Sequence, residues 1–163
     1  MKKILLSIIA KIANNVDYKN SYQMKVFEKH PFIFKFNSEE EGIASLTMYR
    51  VAWLFYVPFI ETKNVFYTFE SDEQAFILAH ELGHYKYKHY KWYYNDMYLT
   101  DEELNELEKQ ADLFAMLKTN KEVALRTMNK LLDYLIELDV EQAHLDLVQR
   151  RIKYLESVKE RAK

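Results

Sequence analysis

Cysteine is absent from this chain of 163 residues, and glycine and proline occur only twice each. Without cysteine there is neither a disulfide framework nor a thiolate metal site. The two isolated glycines, Gly42 and Gly83, cannot build the glycine-rich loop of a dinucleotide site or of a P-loop. All-β sandwiches and barrels need many turns rich in glycine, proline and asparagine, so that class is excluded as well. The composition therefore favours a helical protein, and the lack of cysteine fits a reducing cytosol.

No charge of either sign dominates: 23 Lys and Arg residues stand against 25 Asp and Glu residues, a formal net charge of −2. This balance gives no electrostatic reason to expect direct binding to nucleic acid. Charge is segregated locally, because residues 101–112 are acidic and the tail over residues 150–163 is basic. We interpret both stretches as solvated faces of helices.

Two apolar stretches raise the question of a membrane segment. Residues 4–10 follow two lysines, as in a short signal peptide, but Lys11 ends the run and no cleavage site of small residues follows. An amphipathic first helix is therefore favoured. Residues 43–60 are long enough to span a bilayer, but inserting Arg50 at their centre would cost about 2.5–3.5 kcal/mol. We interpret them as protein core, with a membrane segment as the minor alternative, and expect no membrane contact.

Helix signals are frequent in the second half of the chain and also occur near its start. Residues 3–30 are predicted to form one or two helices. Capping sequences that begin at Ser71, Thr100 and Thr119 predict three more, the first of which runs to about Tyr90. A last helix is expected from about Val140 into the tail.

Aromatic and β-branched residues between the two helical regions indicate a small sheet. Phe32 to Phe36 is a plausible strand, and Val65 to Phe69 alternates with the period of two that is typical of a half-buried strand. Residues 51–57 can pair with the latter, whereas residues 38–50 are ambiguous between helix and strand. The predicted fold class is α+β, a mostly helical domain with a small antiparallel sheet beside the helix that begins at Ser71.

The sequence His80-Glu81-Leu82-Gly83-His84 lies inside that helix and has the form HExxH. Residues four apart share one face of a helix and lie about 6 Å apart along its axis, so both imidazoles can reach one Zn²⁺. Glu81 is rotated by about 100° from His80, which suits a general base acting on water rather than a ligand. The alternative is a surface helix that carries two solvated histidines.

A catalytic zinc needs a third protein ligand, and in a chain without cysteine that ligand is a carboxylate or another histidine. The next predicted helix carries Glu108 and Asp112 one turn apart. Glu108 can complete a His₂Glu site, and Asp112 can accept the free N–H of a ligand histidine. An acidic surface stripe is the alternative for this pair, but the HExxH motif in the preceding helix favours the ligand interpretation.

The two motifs together resemble the ImmA/IrrE family of metallopeptidases, whose gluzincin relatives include the CaaX prenyl protease family. The resemblance rests on HELGH at residues 80–84 and on ExxADxFA at residues 108–115, and it extends over about residues 51–118. It implies that His80, His84 and Glu108 bind zinc and that Glu81 is the catalytic base. Asp112 matches the acidic position that follows the third ligand in this family.

Peptide hydrolysis also needs a donor that stabilises the tetrahedral oxyanion, and the sequence does not single one out. The candidates are His89, His144 and the tyrosines at positions 85, 87 and 90. For each of them a packing or surface role is the alternative. The predicted strand Val65 to Phe69 can add an extended substrate to its edge.

Gly83 stands inside the predicted helix between the two histidines, where glycine costs about 1 kcal/mol relative to alanine. A chain with so few glycines is not expected to carry one there without a reason. We expect that a side chain at this position would obstruct packing or substrate beside the metal.

We expect one domain over residues 1–163, with helices and a strand over residues 1–50, a catalytic core over residues 51–118 and helices over residues 119–163. The resemblance implies a soluble, cytoplasmic zinc metallopeptidase that acts on a protein or peptide substrate. By analogy, that substrate is a DNA-binding helix-turn-helix repressor of a phage or mobile element. The alternatives are a zinc-containing module that sequesters a regulatory protein without cutting it, and a metal-free helical interaction protein.

Overall fold

The computed structural model describes residues 31–35, 42–51, 55–91 and 99–159. The helices predicted over residues 3–30 lie outside the described residues. The described elements follow one another as β1 (Phe32–Lys35), β2 (Ala44–Val51), β3 (Phe55–Thr62), α1 (Ser71–Lys86), α2 (Asp101–Lys118), α3 (Lys121–Glu137) and α4 (Gln142–Ser157). The predicted mostly helical α+β architecture is confirmed.

The three described strands form one sheet in the order β1-β3-β2. β3 pairs in parallel with β1 and antiparallel with β2, so this sheet is mixed. The prediction of a purely antiparallel sheet is therefore wrong. Residues 43–60, which are long enough to cross a bilayer, contain β2 and most of β3, and the side chains from Tyr56 to Ile60 are buried in the protein. Among the described helices, none combines the length and the apolar character needed to cross a bilayer.

The predicted strand over Val65 to Phe69 is wrong, because Asn64–Thr68 forms a 3₁₀ helix. The amide of Phe66 donates to the carbonyl of Lys63, and the amide of Phe69 donates to the carbonyl of Phe66. Burial follows the same spacing of three, with Phe66 and Phe69 buried and Tyr67 exposed. The strand that pairs with β3 is instead β2, so of the ambiguous residues 38–50 those at 44–50 are strand, whereas those at 38–41 lie outside the described residues.

Helix boundaries follow the predicted capping signals to within a few residues. Thr100 caps α2 through a capping box with Glu103, as predicted. The box of α1 is closed by Glu70 and Glu73, one residue earlier than expected, and the cap of α3 is Asn120 rather than Thr119. α1 ends at Lys86, before the predicted Tyr90.

Helices α1 and α2 pack closely at Gly83. A Cβ atom added to Gly83 would lie 2.9 Å from the Cα of Ala111, which is backbone and cannot rotate away. The absence of a side chain therefore lets the two helices approach at the level of both motifs. Of the two roles expected for Gly83, helix packing is the one that the contacts support.

Candidate metal centre

His80 and His84 project from the same face of α1, as their spacing dictates. Their Nε2 atoms lie 2.9 Å apart. Both side chains are largely buried, with exposed fractions of 12% for His80 and 8% for His84. The two imidazoles therefore point at a common position rather than into solvent.

Glu108 comes from α2 and faces the same position. One carboxylate oxygen lies 3.4 Å from the Nε2 of His80, and the other lies 3.4 Å from the Nε2 of His84. Ligands of a tetrahedral zinc at 2.0–2.2 Å stand about 3.3 Å from one another. Donor atoms of the three residues fall within 4.8 Å of one another, so this group can hold a metal ion.

Asp112 and Arg151 form a charged network beside His80. Asp112 is completely buried, and its Oδ1 lies 2.8 Å from the Nδ1 of His80. The guanidinium of Arg151, from α4, donates to both oxygens of this carboxylate at 2.7 and 2.8 Å. Its third nitrogen lies 3.0 Å from Oε2 of Glu108. One cation thus pairs with both Glu108 and Asp112.

His89 lies against the other ligand histidine. Its side chain is buried, with its Nδ1 atom 2.9 Å from the Nδ1 of His84 and its Nε2 atom 3.2 Å from Oε1 of Gln110. Burial lowers the pKa of His89 below its ordinary value, which favours the neutral ring. Because both nitrogens already face protein groups, the ring has no further N–H to offer a substrate.

The two ligand histidines differ in their protonation. Burial alone would lower the pKa of His80, but its hydrogen bonds with Asp112 and Glu108 outweigh this and raise the pKa to about 10. Burial and the neighbouring positive charge of His80 lower the pKa of His84 to about 3. A metal ion that binds both nitrogens must displace the proton of His80, as is general for metal sites built from histidine.

Glu108 and Asp112 remain ionised. Burial opposes their charge, but the positive charge of Arg151 more than compensates and holds the pKa of Glu108 and of Asp112 below the ordinary range. Glu108 is therefore available as an anionic ligand, and Asp112 as an anionic acceptor.

Glu81 lies beside the cluster but is not part of it. It is 8% exposed, and burial raises the pKa of its carboxyl group, which is the shift that a proton-transfer group requires near neutral pH. The backbone N–H of Leu46 in β2 donates to this carboxylate. Strand β2 therefore passes directly beside the acid of the HExxH motif.

A cavity of about 420 Å³ opens onto these residues. One side is formed by residues 43–46 and the other by the motif residues of α1 and α2 together with Arg151 of α4. The remaining wall is mostly apolar and consists of Phe69, Phe76, Ile77, Tyr90, Thr127, Met128 and Leu131. The site thus has room for a ligand larger than water next to the three donor groups.

Comparison with known proteins places this site in a family. A peptidase family model described as the IrrE N-terminal-like domain matches residues 53–151, more than half of the chain. The chain belongs to this family. No curated protein and no solved structure shows significant similarity to the chain. The IrrE-like match begins at residue 53, between β2 and β3 in sequence, and ends at Arg151, so it includes both motifs.

The structure brings together most of the residues selected from the IrrE-like motifs. His80, His84 and Glu108 meet at one point, and Glu81 and Asp112 adjoin them. Of the remaining candidates, Tyr90 is buried in the wall of the cavity that opens onto these residues. His144, in the first turn of α4, and Tyr87 are exposed.

Arg151 and Gln110 are the residues of this IrrE-like site that the sequence did not reveal. The basic tail is predicted to be solvated, and this is wrong for Arg151, which is only 9% exposed and pairs with Asp112 and Glu108. The acidic stretch is solvated at Asp101 and Glu102 but not at its end. The sequence signal that was available is the helical spacing, because Arg151 lies three residues after Val148 and four before Leu155 and therefore shares their buried face.

Proposed function

We propose that this protein is a zinc-dependent endopeptidase. The observation that carries the proposal is the convergence of one nitrogen each from His80 and His84 with the carboxylate of Glu108, beside a buried glutamic acid and an open cavity. Two histidines and one glutamate form a ligand set used by catalytic zinc, which keeps its fourth position for water or substrate. Membership of a peptidase family supports the same chemistry.

The proposed reaction is hydrolysis of a peptide bond. Zinc bound at this site would polarise the scissile carbonyl and lower the pKa of a water molecule. Glu81 accepts a proton from the attacking water, whose oxygen forms a bond to the carbonyl carbon. Glu81 then delivers that proton to the nitrogen of the leaving amine as the C–N bond breaks. The raised pKa of Glu81 suits both steps.

We propose that the substrate lies in extended form along β2. Among the described strands, β2 is at the end of the sheet and its partner β3 covers one edge. The carbonyl of Ile43 faces β3, where it accepts from the amide of Lys63, whereas the amide of Leu46 faces Glu81. Because peptide groups alternate along a strand, those of Ala44 and Leu46 face the cavity. This strand replaces Val65 to Phe69 as the site of strand addition.

The physiological substrate proposed is a helix-turn-helix repressor of a phage or mobile element, in a cytoplasmic setting. This part of the proposal rests on the resemblance to ImmA/IrrE metallopeptidases alone. A co-expressed repressor from the same genomic neighbourhood is the natural first substrate to assay. Recovery of a single cleavage product, identified by mass spectrometry, would support it.

The glutamate of the motif provides the decisive test of catalysis. Glu81→Gln should bind zinc as the wild type does and should lower the rate of peptide cleavage by about 10²–10⁴-fold, the usual contribution of a general base. Cleavage is measured on a peptide library by mass spectrometry, with Glu106→Gln as an exposed control on α2. If Glu81→Gln retained the full cellular effect, the protein would act by sequestering a partner and not by cutting it.

A further inference from the structure

Backbone geometry brings His89 back onto His84 after the end of α1. The amide of His89 donates to the carbonyl of His84 at 2.9 Å, and the amide of Lys88 donates to the carbonyl of Tyr85 at 3.1 Å. Lys88 adopts a φ of 62°, in the left-handed region. These three features define a Schellman motif, which reverses the chain at the end of a helix. His89 is thereby bound to the same residue through its backbone and through its ring.

The contact between the two rings restricts which nitrogens carry hydrogen. The Nδ1 atoms of His84 and His89 are 2.9 Å apart, so one of them donates and the other accepts. Oε1 of Gln110, which lies 3.2 Å from the Nε2 of His89, is an acceptor only. A neutral His89 ring therefore carries its hydrogen on Nε2 and presents a bare Nδ1 to His84.

We infer that His89 is a positioning residue that holds His84 in the tautomer required for binding a metal ion. His84 Nδ1–H donates to His89 Nδ1, which leaves the lone pair of His84 Nε2 directed at the position shared with His80 and Glu108. His89 Nε2–H donates in turn to Gln110. This inference rests on the metal centre proposed above and extends it to His89 and Gln110, neither of which is a specified position of the two motifs.

His84, like His80, needs an acceptor for its second N–H, and His89 provides it. Histidine ligands commonly donate their second N–H to an acceptor that fixes the ring, and the loss of such an acceptor typically weakens metal binding by about 10–100-fold. For His80 that acceptor is Asp112. Within the described residues, the acceptor that faces the Nδ1 of His84 is another imidazole.

The test compares the zinc affinity of four proteins by competition with a chromogenic chelator: wild type, His89→Phe, His89→Asn and His144→Phe. Replacement by phenylalanine keeps an aromatic ring but removes the acceptor, so zinc affinity should fall about 10–100-fold. Asparagine places an amide oxygen near the position of the imidazole Nδ1, so His89→Asn should recover most of the affinity. His144→Phe makes the same change at an exposed site and should match the wild type.

Two further readouts separate positioning from simple packing. The visible absorption spectrum of the Co²⁺-substituted protein should change in His89→Phe and return towards the wild-type spectrum in His89→Asn. Long-range ¹H–¹⁵N spectra of the zinc-loaded wild type should show His89 protonated on Nε2 alone. Circular dichroism establishes that each variant is folded.

The possible outcomes distinguish this inference from the proposed function. Equal zinc affinity in folded wild type, His89→Phe and His89→Asn, or a His89 ring protonated on Nδ1, would overturn the inference. A wild type that binds zinc with the expected ranking of variants but cuts no peptide would overturn the peptidase proposal alone. A wild type that binds neither Zn²⁺ nor Co²⁺ would overturn both.

Discussion

The two histidines of the proposed metal centre lie four residues apart on one helix, yet the groups that hold them differ in charge. His80 is bonded to the buried carboxylate of Asp112, which is in turn paired at both oxygens with Arg151. His84 faces the uncharged ring of His89, which continues to the amide of Gln110. One side of the site is thus a charged network and the other a chain of neutral groups.

This difference implies that the two sides contribute differently to the stability of the fold. The charged side joins α1, α2 and α4, because His80, Asp112 and Arg151 come from three different helices. The neutral side is more local, since His89 follows His84 by five residues and reaches only to α2. We therefore expect damage to the charged side to reduce stability and metal binding together, and damage to the neutral side to affect mainly metal binding.

Arg151→Met should have the largest effect, and it should act on the stability of the protein. It leaves the buried carboxylates of Asp112 and Glu108 without their shared cation, and removal of one partner from a buried ion pair costs about 3–5 kcal/mol. Urea unfolding of the metal-free protein should show a loss of this order in the free energy of unfolding. The loss should be smaller in zinc-loaded protein, because Zn²⁺ supplies positive charge beside Glu108.

Arg151→Lys is the matched control, because it keeps the charge but not the forked pair of hydrogen bonds. It should lose less stability than Arg151→Met. If Arg151→Met unfolded at the same urea concentration as the wild type, the charged side would have no structural role.

Asp112→Asn should have the second-largest effect, and it should act on zinc affinity. The substitution keeps the shape of the side chain but removes the negative charge that His80 and Arg151 share. We expect zinc affinity to fall by about 10–100-fold, with the exposed Asp133→Asn as the control on α3. The effect should exceed that of His89→Phe, because hydrogen bonds to an ionised acceptor are the stronger ones. The reverse order, measured by chelator competition, would contradict the proposed contrast.

Gly83→Ala tests the helix contact on which both sides depend. Overpacking of a tight interior contact costs about 1–3 kcal/mol, which is offset in part by the gain of about 1 kcal/mol from replacing glycine within a helix. The added Cβ would lie 2.9 Å from the Cα of Ala111, so we expect a net loss in the free energy of unfolding. A Gly83→Ala protein that is more stable than the wild type would contradict the close packing of α1 on α2.

Lys88→Gly should have the smallest effect, and in the opposite direction. The left-handed conformation of Lys88 costs a residue with a side chain roughly 1 kcal/mol, and glycine adopts it freely. The side chain of Lys88 is exposed, so its loss should leave the zinc affinity unchanged. Thermal unfolding should show a small rise in Tm, whereas a fall in zinc affinity would mean that the turn acts through more than its backbone.

Sequence pattern identified the residues that meet at the candidate site better than it identified the strands of the sheet, and the reason is physical. The pairs His80 with His84 and Glu108 with Asp112 each lie one turn apart, so local helix geometry alone places each pair on one face. The stretch from Val65 to Phe69 alternates like a strand, but the burial of Phe66 and Phe69 is decided by the neighbouring elements. A short apolar segment does not reveal which of its faces those elements will cover.

The contacts of Arg151 and His89 could not be predicted from local sequence pattern, for a related reason. The ion pair of Arg151 with Asp112 joins residues 39 positions apart, and it can be recognised only once α4 is packed against α2. His89 was considered only as a donor to the oxyanion, because its contact with His84 depends on a left-handed lysine at a position that glycine commonly occupies.

The most direct test of the central claim is the metal content of the purified protein. Zinc per chain should be close to one in the wild type and in Glu106→Gln, an exposed acidic residue on the same helix as Glu108. Metal analysis after dialysis should find zinc strongly reduced in Glu108→Gln and in His80→Ala. Zinc content that is equal in wild type and Glu108→Gln would contradict the three-residue metal centre.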